Sequence, residues 1–130
     1  LDTEMTKSLV LVALFTFLLS AEISTNVSAQ QITAHQYEDL MQTEQGRTLL
    51  KLYISGVGHG AQITNIHAYM STGRKIWCTP DNTPHGSLDE FLNWTETAVR
   101  KTKNSHGDEY GEFPIAQLLI FEMAKIFACD

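Results

Sequence analysis

Apolar positions fall into one continuous run near the amino terminus and several later stretches at helical spacing. Thr33 is followed three residues on by Gln36, a capping-box spacing, and Tyr37, Leu40 and Met41 then share one helical face. These predict a short first helix. Leu49, Tyr53, Val57, Ile63, Ile66 and Met70 continue the apolar pattern with no intervening proline, which predicts one long second helix ending at Ser71-Thr72-Gly73. Ser87 with Glu90 repeats the capping-box spacing, and Leu88, Phe91, Leu92, Thr95 and Val99 mark the inward face of a third helix. Phe113-Pro114 opens a fourth, carried by Ile115, Leu118, Leu119, Met123 and Ile126, because proline suits the first helical turn. No repeat or strand-like alternation of useful length interrupts this order. The expectation is an all-α fold, a small bundle of about four helices.

Two segments break the pattern. Gly56, Gly58 and Gly60 lie inside the long helix, where each glycine costs about 1 kcal/mol relative to alanine. Such spacing suits close approach of another helix, within the domain or between two copies as a homodimer, or a bend that re-aims the second half. It follows no strand and lacks the spacing of a phosphate loop, so nucleotide binding is not expected. Residues 101–112, Lys101 to Glu112, are polar without apolar periodicity and read as an exposed loop. Between helices two and three, Pro80, Asp81, Asn82 and Pro84 supply turn chemistry, and Ile76 and Trp77 are expected to tuck against the core.

The amino-terminal run, Leu9 to Leu19, is preceded by Lys7 and followed by polar residues from Ser20. It is about half the roughly 20 residues that a membrane-spanning helix needs, so it reads as a secretory signal. Small residues at Val27-Ser28-Ala29 place the cut after Ala29. Residues 1–29 are then upstream residues and signal peptide, and 30–130 form one domain of about 100 residues. Asp2 and Glu4 oppose the positive start of a signal, which points to Met5 as initiator. No membrane attachment is expected once the signal is removed.

Charge and cysteine usage narrow the picture further. The chain has 9 basic and 15 acidic residues, a net charge of -6, and stays mildly negative without the signal, which argues against a nucleic-acid surface. Cys78 and Cys129 are the only cysteines and, in an oxidising compartment, are expected to pair. Closing a loop of about 50 residues stabilises a fold by roughly 4 kcal/mol on the chain-entropy model.

Candidate chemistry is sparse. His35, His59, His67, His85 and His106 are scattered without the close spacing of a zinc motif, so no metal and no cofactor is expected. Disulfide pairing removes both thiols as nucleophiles, G-x-S-x-G is absent, and the pairs Asp89-Glu90 and Asp108-Glu109 read as solvated charge. The chain is not expected to be an enzyme. A periplasmic acid-stress chaperone, or another helical binding module without catalysis, is an alternative that the histidines and acidic excess allow.

Tyr53-Ile54-Ser55-Gly56-Val57, then Trp77-Cys78-Thr79-Pro80, then Phe127-Ala128-Cys129, resemble in order and spacing the immunity proteins that neutralise type VI secretion amidase effectors, the Rap/Tai group. The likeness spans Leu49 to Cys129. It departs from the family pattern at Trp77, where Phe is more frequent, and at Ala128, where Pro is. The resemblance implies a periplasmic helical bundle with an internal disulfide. Its implied function is to occlude the cleft of a peptidoglycan amidase that has a papain-like cysteine site. It further implies that the counterpart of the cleft-entering loop is 101–112, with contacts on His106, Asp108, Glu109 and Tyr110.

Overall fold

The computed structural model describes residues 31–79 and 86–130; the signal segment, its cleavage position and the Pro80–Pro84 turn residues lie outside them. Gln31–Asp130 forms one compact unit. Its helices are α1 (Ala34–Met41), α2 (Glu44–Thr72), α3 (Leu88–His106) and α4 (Ile115–Ile126), with a 3-10 helix at Gly107–Glu112. The all-α bundle and the Cys78–Cys129 disulfide are as the pattern predicts.

Both capping boxes form. Thr33 accepts from the Gln36 amide while the Gln36 side chain accepts from the Thr33 amide, and Ser87 and Glu90 do the same for α3. Each reciprocal pair satisfies two of the backbone donors that a helix start leaves open. α1 and α4 begin side by side, because the Ala34 amide donates to the Phe113 carbonyl at 2.8 Å and Ile115 to Ile32 at 2.9 Å.

α2 runs unbroken through Gly56, Gly58 and Gly60. Gly58 is buried, and a Cβ there would stand 2.5 Å from the Phe91 ring of α3, whereas Gly56 and Gly60 face open space. Of these three, Gly58 is the one closely packed within the described domain. Gly86, at φ +119°, meets the same ring, with a Cβ position 2.1 Å from it. Phe91 is fully buried between the two glycines.

The inward face of α2 differs from the expected one. Gly46, Leu50, Ile54, Gly58, Ala61 and Asn65 are buried, while Leu49, Ile63, Ile66 and Met70 are exposed. These four point away from the core, and on the inner side Leu50 and Ile54 give way at position 58 to glycine, where Phe91 of α3 supplies the volume.

Beyond α2 the chain is held by one buried amide. Asn65 Oδ1 accepts from the Ile76 amide at 2.7 Å and the Trp77 amide at 3.2 Å, and Nδ2 donates to the Trp77 carbonyl at 3.0 Å. Trp77 is 2 % exposed, as expected, but Ile76 is half exposed because the same amide grip turns its side chain outward. The Cys78 amide then donates to the Phe127 carbonyl at 2.7 Å, and the disulfide closes 51 residues of chain beside it. Phe91, Trp94 and Phe127 stack edge to face at 5.8 and 5.5 Å, linking the glycine-lined pocket to the carboxyl terminus.

Gly58→Ala should lower unfolding free energy by about 1–3 kcal/mol, since a rigid buried ring must move to admit one methyl group. Asn65→Ala should cost a similar amount, about 1–3 kcal/mol, by leaving buried backbone groups unpaired. Urea unfolding of the oxidised protein measures both.

Candidate functional site

Residues 101–112 are not a loop. α3 continues to His106, and Gly107, at φ +56°, ends it with its amide donating to the Lys103 carbonyl. A left-handed residue reverses the chain there at little cost only because it is glycine. The 3-10 helix that follows places Asp108, Glu109 and Glu112 on the surface.

Tyr110 points the other way. It is 7 % exposed and belongs to the core, so the expectation of an exposed aromatic contact is corrected. Its hydroxyl donates to Glu38 Oε2 on α1, and Glu38 Oε1 accepts from Lys103 Nζ at 2.8 Å. The Lys103 ammonium also lies 4.8 Å from the centre of the Tyr110 ring, within cation–π range. The edge of His35 meets that ring at 6.0 Å. A carboxylate on α1, an ammonium on α3 and a phenol on the turn thus fix one another across three elements.

This grouping has an electrostatic signature. Hydrogen bonds from Lys103 and then from Tyr110 hold the Glu38 carboxyl below its ordinary value, while Glu38 and Tyr110 raise the Lys103 ammonium. Burial, with Glu96 and Glu38 nearby, pushes the neighbouring Tyr37 phenol up.

His106, on the shoulder of the turn, is exposed with its ring 5.0 Å from Phe113. The site residues therefore divide: His106, Asp108 and Glu109 are exposed along one turn of the chain, and Tyr110 anchors that turn from beneath. Glu38 and Lys103 complete the anchor and were not singled out from the sequence. The only signal available was that two polar residues 65 positions apart would meet, which no local pattern carries.

Next to the turn, α3 and α4 border a cleft of about 280 Å³ whose lining includes Lys101, His106, Phe113, Phe121, Glu122 and Lys125. Glu122 is buried and pairs with Lys101. Among the described residues there is no cluster of three or more His, Cys, Asp or Glu able to hold a metal, and both cysteines are bonded to each other. Gly56 and Gly60 lie on α2, away from this turn in sequence, and among the described residues no atom lies within 4 Å of a Cβ added at either.

Because the Glu38 pKa is lowered on folding, its contribution to stability is present above the unfolded value near 4.5 and is lost as pH falls through the lower folded value. Glu38→Gln should flatten the acid limb of the stability curve below about pH 4.5 relative to wild type, as followed by urea midpoints against pH. Matching acid limbs in the two proteins would show that the pair contributes nothing. Comparison with family models, with curated sequences and with solved structures gives no significant match in any of the three.

Proposed function

We propose that this chain is a periplasmic immunity protein that binds a peptidoglycan amidase effector of type VI secretion and occludes its cleft, without chemistry of its own. The observation that carries the reading is the acidic turn. Asp108, Glu109 and Glu112 project from a short 3-10 helix, and Tyr110, Glu38 and Lys103 hold it from behind.

Such a turn suits insertion into an enzyme cleft for two physical reasons. Its backbone is ordered before binding, so association costs less conformational entropy than ordering a free loop would. Its carboxylates also match a papain-like site, where a thiolate depends on an imidazolium and a helix amino terminus, both sources of positive potential. His106 adds an exposed donor or acceptor on the shoulder. The disulfide fits an oxidising compartment, and no helix among the described residues is long and apolar enough to cross a membrane. The Rap/Tai-like motifs coincide with parts that the fold uses: Tyr53–Val57 leads into Gly58, Trp77 is gripped by Asn65, and Cys78 is joined to Cys129 by the disulfide.

The test is calorimetric titration of the oxidised protein against a type VI amidase encoded beside it, with peptidoglycan cleavage assayed in parallel. Nanomolar binding with loss of cleavage is expected. Asp108→Ala with Glu109→Ala should weaken binding at least tenfold, about 1.4 kcal/mol, at unchanged melting temperature. Tyr110→Ala should lower the melting temperature as well, because it opens the core. Absence of heat with undiminished cleavage would overturn the assignment, and unchanged affinity in the double variant would remove the turn from the contact.

A further inference from the structure

The cleft between α3 and α4 carries polar groups that folding leaves partly unused. It has a volume of about 280 Å³, apolar walls that include Phe113, Leu118 and Phe121, and three charged residues, Lys101, Glu122 and Lys125. Glu122 is 6 % exposed and its carboxylate is taken by Lys101, so that pair is close to neutral. Lys125 is exposed and joins neither ion pair among the described residues, Lys101–Glu122 and Lys103–Glu38. One positive charge therefore stands uncompensated beside aromatic walls, on a chain whose net charge is -6. Phe121 is 54 % exposed, so the domain covers only part of its ring.

The hydroxyl groups of the cleft have a fixed polarity. Thr102 Oγ1 donates to the Ala98 carbonyl at 2.8 Å, and Ser105 Oγ donates to the Lys101 carbonyl at 3.0 Å. Each has given its single proton to the backbone of α3 and keeps lone pairs that accept. The cleft thus offers a cation, apolar walls and hydrogen-bond acceptors.

We propose that this cleft binds the free carboxyl terminus of a peptide whose last residue is apolar. The terminal carboxylate pairs with Lys125, and a partly apolar surrounding strengthens that attraction relative to open water. The last side chain lies against Phe113, Leu118 and Phe121, while the peptide N–H groups donate to Thr102 and Ser105. A cationic guest is disfavoured, because it meets Lys125 and reaches Glu122 only by displacing Lys101 from a buried carboxylate. A fatty acid supplies charge and apolar surface but no N–H. Length points the same way: from Leu118 to Lys125 the helix rises about 10 Å, the span of about three extended residues.

Calorimetric titration of the oxidised protein with acetyl-Ala-Ala-Phe as the free acid should show saturable one-site binding with a Kd of about 100 μM, and the carboxamide of the same peptide should bind about tenfold more weakly. Octanoate, which lacks amide donors, should bind about fivefold more weakly than the peptide acid. Lys125→Met and Phe121→Ala, both at exposed side chains, should each weaken binding of the acid about fivefold with unchanged helical circular dichroism. Absence of saturation by the free acid at about 5 mM overturns the proposal. So do equal affinities for acid and carboxamide, octanoate binding as tightly as the peptide, or unchanged affinity in either variant. The proposal does not rest on the inhibitory role, and its test contains no amidase.

Discussion

The packing of this domain turns on one aromatic ring. Phe91 is completely buried where α3 crosses α2, and its ring lies so near two backbones that neither position admits a Cβ. Burying a phenylalanine contributes roughly 1.5–3 kcal/mol from area alone, and the close backbone contact adds dispersion that a looser site would lose. Other features follow from the seat of this ring. It sets how closely α3 approaches α2, it orients Trp94 and through it Phe127, and it receives the edge of His59 at 5.3 Å. The start of α3 is fixed as well, because Gly86 touches the ring and Ser87 next to it is the helix cap.

A second constraint keeps the long connector in place. Asn65 uses both ends of its amide on the backbone at 76–77, so the chain leaving α2 folds back along it within a few residues. That return brings Cys78 beside the end of α4. Hydrogen bond and disulfide therefore act in series: the amide places Trp77 in the core, and the covalent bond ties the same segment to the carboxyl terminus. Each alone would leave one end of the segment unfixed.

Element order, the two capping boxes, the disulfide and the buried Trp77 were legible in the sequence, because each is written in residues close together or in a unique pairing. The inward face of α2 was not. Apolar spacing picks out Leu49, Ile63, Ile66 and Met70, yet the buried face carries only Leu50 and Ile54 as large residues and otherwise glycine, alanine and asparagine, because its neighbour supplies the bulk. Residues 101–112 were misread for a related reason. Lys101 to His106 continues α3 without apolar periodicity because its long polar side chains reach partners on other elements, Lys101 to Glu122 and Lys103 to Glu38, and the decisive group of the turn, Tyr110, is bonded to a carboxylate 72 positions away in the chain.

That misreading bears on the site itself. A polar loop with an exposed tyrosine would bind by ordering itself around a partner, and its aromatic side chain would supply the contact area. The structure has the tyrosine inside, bonded to Glu38 and lying beside Lys103, and polar and charged groups outside, among them Asp108, Glu109, Glu112 and His106 together with the exposed Lys101 and Lys103. Recognition by such an end must then come from charge and shape held in place beforehand, rather than from apolar burial on contact. Several of the large exposed apolar residues, Leu52, Ile63, Ile66 and Met70 among them, lie on α2, on a stretch from 52 to 73 that has no Asp, Glu, Lys or Arg. The two surfaces of this small domain thus differ in character, a charged turn braced from beneath and an uncharged helix face.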